Sequence, residues 1–199
     1  MTAALILVDV IKNFFDPKGS NYYPVYPPIL DNIKKVLEKA RGHGLVIIHA
    51  MEGHRPGHDK DFERQKLPEH SVLNTRDAEP AAGIDILEGE HVVRKRRYSA
   101  FMATDLDLLL RELEVDRIFL VGVKSHVCIR ATAQDAFGLG YKVYVVNEAV
   151  GSNYKDLHKA SLEDIERYMG ELISLDESVS LFEEYKPGDD SSMENTNER

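Results

Sequence analysis

Four short runs of nearly unbroken apolar residues punctuate this chain: Ala3 to Val8, Leu45 to His49, Arg117 to Val121 and Lys142 to Val146. A strand that is apolar on both faces must be covered on both faces, which is the condition of a parallel sheet held between layers of helix. The intervening segments supply those layers. From Pro28 to Ala40 the residues Ile29, Leu30, Ile33, Val36, Leu37 and Ala40 recur at helical spacing, and Gly42 and Gly44 close the element. Thr104 opens a helix with Leu106, Leu109, Leu110 and Leu113 on one face, Cys128 to Leu139 reads as another, and Leu157 to Leu172 as a third, carrying Leu157, Ile165, Met169 and Leu172. His91 to Arg94 and Ile173 to Leu175 are brief strands, and Glu177 to Tyr185 is a short closing helix. Strand and helix alternate throughout, so the expected fold is α/β: a three-layer α/β/α sandwich on a mostly parallel sheet with right-handed crossovers.

With 199 residues the chain is long enough for one sizeable core, expected over residues 1–186. After Pro187 it reads GDDSSMENTNER, too polar to offset its ordering entropy, so residues 187–199 are expected to form a frayed acidic and polar tail. From Met51 to Glu90 the pattern is irregular and rich in His, Pro, Asp and Arg. That stretch reads as a long loop with at most one short helix, too polar for the core, and loops of such length are usually functional.

A single cysteine can form no internal disulfide and no thiolate zinc cluster, which excludes stapled secreted scaffolds and zinc ribbons. The formal net charge of −9, with only Arg94 to Arg97 densely basic, speaks against a nucleic-acid partner. No apolar run approaches the roughly 20 residues of a membrane span, and the first residues do not form a signal peptide. The expected location is cytoplasmic.

In an open parallel sheet, reactive groups gather beyond the carboxyl ends of the strands. Asp9 ends the first strand, Lys95 follows the short strand at His91 to Arg94, and Cys128 lies shortly beyond the strand ending at Val121. At a helix start and beside an ammonium, the Cys128 thiol would be shifted towards thiolate near neutral pH, while Asp9 could carry its proton to a leaving group. Singly, each residue also has a plainer reading: Cys128 as a packing residue, Asp9 as a turn cap, Lys95 as part of a solvated basic run. Their shared placement at strand ends is what links them.

Three blocks carry a family resemblance: ALILVDVIKNFF (Ala4 to Phe15), VVRKRRYSAF (Val92 to Phe101) and LVGVKSHVCIRATAQDAFGLGYKVYVVNEAV (Leu120 to Val150). In this order they resemble the isochorismatase-like cysteine hydrolases, over about Ala4 to Leu181. The resemblance implies a Rossmann-like α/β/α fold and, in the amidase branch, a catalytic triad falling on Asp9, Lys95 and Cys128. It further implies a non-proline cis peptide in the GVKS segment at Val123 to Lys124, with the backbone N–H groups of Lys124 and Cys128 facing an oxyanion. A homo-oligomer, dimer or tetramer, is implied as well. Where the family commonly has Thr and Asn before the cysteine, this chain has Lys124, Ser125 and His126, which makes the pocket more polar. Lys12 and Asn13 replace the usual Asn and Asp of the first block, while Asp9 and Phe14 match.

Isochorismatases cleave a vinyl ether without a cysteine, so Cys128 argues against that branch. Nicotinamidases usually hold a divalent metal through an Asp-x-His step and further histidines. Here Glu52, His54, His58 and His70 stand in that region, with Glu in place of Asp, and such a donor set suits zinc. The stretch HRPGHDKDF (His54 to Phe62) is closer to the loop of ureido-type amidohydrolases, which work without metal. The leading expectation is therefore a cofactor-free amidohydrolase for a small ureido, N-carbamoyl or carboxamide substrate, with Phe14, Tyr98 and Phe101 as pocket walls. A nicotinamidase with a metal at Glu52, His54 and His70 is the rival. A non-catalytic or redox binding module is the alternative from another class.

Overall fold

The computed structural model describes residues 2–57, 66–67 and 69–184. The expected tail at 187–199, and His58 and Phe62 of the long loop, lie outside the described residues. Six strands form one sheet: β1 (Thr2–Val8), β2 (Val46–Glu52), β3 (His91–Lys95), β4 (Val115–Val123), β5 (Lys142–Gly151) and β6 (Glu171–Ile173), in the order β3-β2-β1-β4-β5-β6. Every pairing is parallel. The order reverses between β1 and β4, so the crevice of the fold opens where these two strands end.

Alternation along β1 shows how the layers are made. Ala3, Leu5 and Leu7 face one core and Ala4, Ile6 and Val8 the other. The first core is roofed by α1 (Lys12–Phe15), α2 (Tyr26–Gly42) and α6 (Leu175–Phe182), and the second by α3 (Leu106–Glu112), α4 (Arg130–Gly138) and α5 (Lys155–Tyr168). In the first, Phe119 stacks on Tyr144 with centroids 4.9 Å apart and meets Phe182 edge-on at 4.8 Å. Such pairs add about 1 kcal/mol each beyond the area they bury.

The fold differs locally from the sequence expectation, in ways that matter for the site. The element expected to begin at Cys128 begins at Ser125 as a π-helical turn (Ser125–Ile129) that runs into α4, so Cys128 is its fourth residue and does not open it. The polar run Lys124 to His126 hid this start. Helix α5 stops at Tyr168, and Leu172 belongs to β6. A Cβ on Gly170 would sit 2.4 Å from the Val143 carbonyl oxygen, so the chain passes close against β5 there before entering β6. The long loop is less peripheral than its composition suggests. It contributes Ala78, Ala81 and Ile84 to the core, buries His54, His70 and Ser71, and contains the short 3-10 helix Arg76–Ala78.

Close contact between β1 and β4 rests on Gly122, the register partner of Val8. Its φ of +122° favours glycine, and a Cβ there would lie 2.0 Å from the Val8 carbonyl oxygen. The two strands that deliver Asp9 and the Cys128 turn therefore meet at a position where a side chain has no room.

Candidate active site

Asp9 follows β1 directly and takes a left-handed conformation, φ 55°, which Asp tolerates better than most residues. Its amide donates to the Ala50 carbonyl at 2.9 Å, and its Oδ1 accepts the Glu52 N–H at 2.8 Å. Both contacts clamp the carboxylate to the end of β2. Lys95 is the last residue of β3 and the register partner of Glu52, so it approaches Asp9 from across β2. Its Nζ lies 2.8 Å from Asp9 Oδ2 and 3.5 Å from Cys128 Sγ, and it also donates to the Arg97 carbonyl at 3.2 Å. All three side chains are buried. Residues separated by 86 and by 33 positions thus meet at the reversal of the strand order.

Electrostatics bear on the state of the sulfur. Burial, reinforced by the negative charges of Asp9 and Glu52, pushes the Cys128 thiol well above its ordinary range, and Lys95 only partly opposes this. The surroundings thus favour the thiol over the thiolate in the resting site. Burial likewise raises Asp9, against the attraction of Lys95. Burial alone would pull Lys95 down, but the charges of Asp9, Cys128 and Glu52 outweigh it and keep it an ammonium.

The Val123–Lys124 peptide is cis. Past it, the Lys124 carbonyl accepts from both Val127 and Ile129 N–H, at 3.0 and 3.2 Å, which sets the pitch of the π turn and seats the Cys128 amide between them. Ser125 Oγ pairs with His158 Nδ1 at 2.8 Å, and Ser152 Oγ with His126 Nδ1 at 2.7 Å, so the turn is tied to α5 and to the end of β5.

Beside Asp9 lies a second polar group. Glu52, His54 and His70 are buried with one ligand atom each, all within 4.8 Å of one another. Glu52 Oε1 is 3.3 Å from His70 Nε2 and 3.6 Å from His54 Nε2, while Ser71 Oγ donates to Oε2 at 2.7 Å and accepts from Asn13 Nδ2 at 2.8 Å. Burial would raise Glu52, yet the hydrogen bonds from the two imidazoles and the charge of Lys95 carry it well below the usual carboxylate range. One carboxylate and two imidazoles are a donor set that fits zinc. Sequence alone does not point to Ser71, and it marks Asn13 only as a departure from the usual Asp of the first block, a polar residue inside the apolar run Val10 to Phe15.

Of the expected pocket walls, Phe14 is buried next to Lys124, whose Nζ lies 5.7 Å from its ring centroid. Tyr98 is half exposed and lines a cavity of about 510 Å³ with Met102, Arg130 and Gln134. Phe101 stacks on Tyr141 at 5.8 Å, a packing contact on the α3 and α4 side of the sheet.

Similarity to known proteins converges on one group. A family model described as "Isochorismatase domain" matches residues 3–177. Maleamate amidohydrolase of Pseudomonas putida is 29% identical over 180 residues, covering 88% of this chain and 84% of that protein. The solved structure of a cysteine hydrolase from Pseudomonas syringae pv. phaseolicola superposes with a TM-score of 0.86 at 28% identity, covering 92% of this chain and 93% of that one. A pyrazinamidase of Pyrococcus horikoshii, solved in complex with zinc, superposes at 0.80 with 28% identity over 87% of this chain and 99% of its own.

Proposed function

The chain belongs to the isochorismatase domain family, and from that premise we propose that it hydrolyses a linear C–N amide bond of a small ureido, N-carbamoyl or carboxamide substrate through a thioester on Cys128. That it is a hydrolase follows from the family and from relatives named for amide hydrolysis. The observation that carries the finer reading is the buried contact of Lys95 with Asp9 at 2.8 Å and with Cys128 at 3.5 Å.

The thiol proton passes to Asp9 as sulfur bonds to the substrate carbonyl carbon, so no free thiolate has to accumulate in the buried site. The backbone N–H groups of Lys124 and Cys128 take the developing oxyanion. Collapse of the adduct breaks the C–N bond as Asp9 returns its proton to nitrogen, and ammonia or an amine leaves. Water then gives a proton to Asp9 and its oxygen to the acyl carbon, and the sulfur departs as thiol with that proton. Lys95 keeps Asp9 and sulfur in register throughout. Its role is that of a point charge, which the planar fork of an arginine would not reproduce.

No step in this scheme uses a metal. A second reading rests on the Glu52, His54 and His70 cluster and on the zinc-bound pyrazinamidase neighbour. These three residues would hold a divalent ion, which would supply Lewis-acid polarisation beside the nucleophile, as nicotinamide hydrolysis would require. Ammonia release should be screened across maleamate, ureidoacrylate, biuret, N-carbamoyl amino acids and nicotinamide, before and after chelation. Turnover of an acyclic amide that survives chelation and disappears in folded Cys128→Ala supports the first reading. Turnover of nicotinamide alone, lost on chelation, replaces it with the second, and full activity in Cys128→Ala refutes both.

A further inference from the structure

A relay of hydrogen bonds runs behind Glu52, and its direction is fixed by the atoms in it. Asn13 is fully buried on α1, next to Phe14, and Ser71 is fully buried in the long loop. Asn13 Oδ1 accepts from the Asn21 amide at 3.2 Å and from Ser20 Oγ at 2.6 Å. A backbone N–H can only donate, so this end of the side chain is the oxygen and the other is the NH2 group. That NH2 group donates to Ser71 Oγ at 2.8 Å, and Ser71 Oγ donates to Glu52 Oε2 at 2.7 Å.

A serine hydroxyl has one proton. Because Asn13 gives Ser71 a donor and takes none, that proton goes to Glu52, and an ionised carboxylate can only accept it. The hydroxyl is itself held in place: Ser71 has a left-handed backbone, φ 47°, and its carbonyl accepts the His54 N–H at 2.9 Å. With Oε2 engaged in this way, Oε1 is the oxygen turned to His70 Nε2 at 3.3 Å and His54 Nε2 at 3.6 Å. The amide of the same residue holds Asp9 Oδ1 at 2.8 Å. A carboxylate at position 13, equal in shape to the amide, would claim the Ser71 proton and leave two acids competing for one donor.

We propose that Asn13 is a positioning residue of the active site: acting through the Ser71 hydroxyl, it sets which oxygen of Glu52 faces the imidazoles, and through Glu52 it steadies Asp9. Its bearing on turnover rests on the reading of Asp9 and Cys128 as the reacting pair, whereas the relay itself does not.

Reversing the relay tests this. In Asn13→Asp two carboxylates share the single Ser71 proton. In Glu52→Gln the new NH2 group must face either the imidazoles or a hydroxyl oxygen already taken by Asn13. In the double variant the amide at 52 donates to Ser71 Oγ and the hydroxyl donates to the carboxylate at 13, so every partner is satisfied with the direction inverted. Each single substitution should lower the melting temperature at pH 7 by about 5 °C, and the double should melt above both. In a Ser71→Gly background, which suits the left-handed backbone but lacks the hydroxyl, that recovery should vanish. For the best amide of the ammonia-release screen, kcat/KM should fall about tenfold in Asn13→Asp and no further when this change is added to Glu52→Gln. Additive losses of melting temperature, or a recovery that survives Ser71→Gly, overturn the assignment even where Cys128-dependent ammonia release stands. A further tenfold loss of kcat/KM on top of Glu52→Gln overturns the positioning role. Recovery that needs Ser71, without any amide turnover, upholds the relay and refutes the amidase reading.

Discussion

Asp9 and Glu52 are both buried carboxylates, joined by the hydrogen bond from the Glu52 amide to Asp9 Oδ1, yet their surroundings drive them in opposite directions. Asp9 is raised because burial outweighs one ammonium. Glu52 is lowered because two imidazoles and the Lys95 charge outweigh the same burial. A carboxylate raised towards neutrality can accept and return a proton, while one held ionised can only receive hydrogen bonds or a cation. Two adjacent acids thereby acquire separate duties, and the difference lies in their neighbours: the Glu52 charge raises Asp9 further, whereas two imidazoles hold Glu52 down.

The sharpest way to break this contrast is Asp9→Asn. Ammonia release should fall by about a thousandfold, within the range expected for loss of a general acid and base. Alkylation of Cys128 by iodoacetamide should nonetheless speed up, because one of the two charges that raise the thiol is gone and Lys95 is opposed by Glu52 alone. An unchanged alkylation rate would mean that Asp9 does not govern the sulfur, and a slower one that it acts on the thiol chiefly as its base. Next, Lys95→Met removes one partner of a buried pair and should cost about 3–5 kcal/mol of stability. Asp9 would then rise further, and a raised acid destabilises the fold as pH climbs through its folded value. The melting deficit against wild type should therefore widen from pH 4 to pH 8. A deficit independent of pH would place the cost in lost packing.

In wild type the alkylation rate should climb about tenfold per pH unit between pH 7 and 9 without levelling, as expected of a thiol lifted above 9.0. A plateau near pH 7 would restore the thiolate that burial argues against. The smallest effect is expected for Glu52→Gln, with kcat/KM down about tenfold through the loosened clamp on Asp9, the scale of one lost charge-assisted contact. Glu52 is lowered, so its contribution is present above the unfolded value of 4.5 and is lost as pH falls towards its folded value. Wild type should lose stability on acidification below 4.5 more steeply than Glu52→Gln, and parallel curves would show that the two acids are not distinguished after all.

The triad positions could be read from sequence because each reactive residue sits at or just beyond the end of an apolar run, where strand ends can be counted without knowing the packing. Glu52 itself lies at the end of β2, but its partners were harder to connect. His70 and Ser71 return to it across 18 and 19 residues through a loop whose local pattern announces nothing, held beside it by the bridge between His54 and Val72. The direction in which burial drives the sulfur is hard to read from sequence for a related reason. A lysine and a helix start could be counted along the chain, whereas complete burial beside two acids is a property of three strands brought together. The π turn escaped because Lys124, Ser125 and His126 break the apolar pattern just where the helix begins.

The contact of Gly122 with Val8 has a wider meaning. The gap between acid and nucleophile is set by two main chains touching one residue before Asp9 and six before Cys128, with a hydrogen atom as the spacer. Loops that meet the substrate can therefore be lengthened, recharged or replaced without retuning that gap. A scaffold of this kind can change its diet while its cutting edge keeps a single gauge.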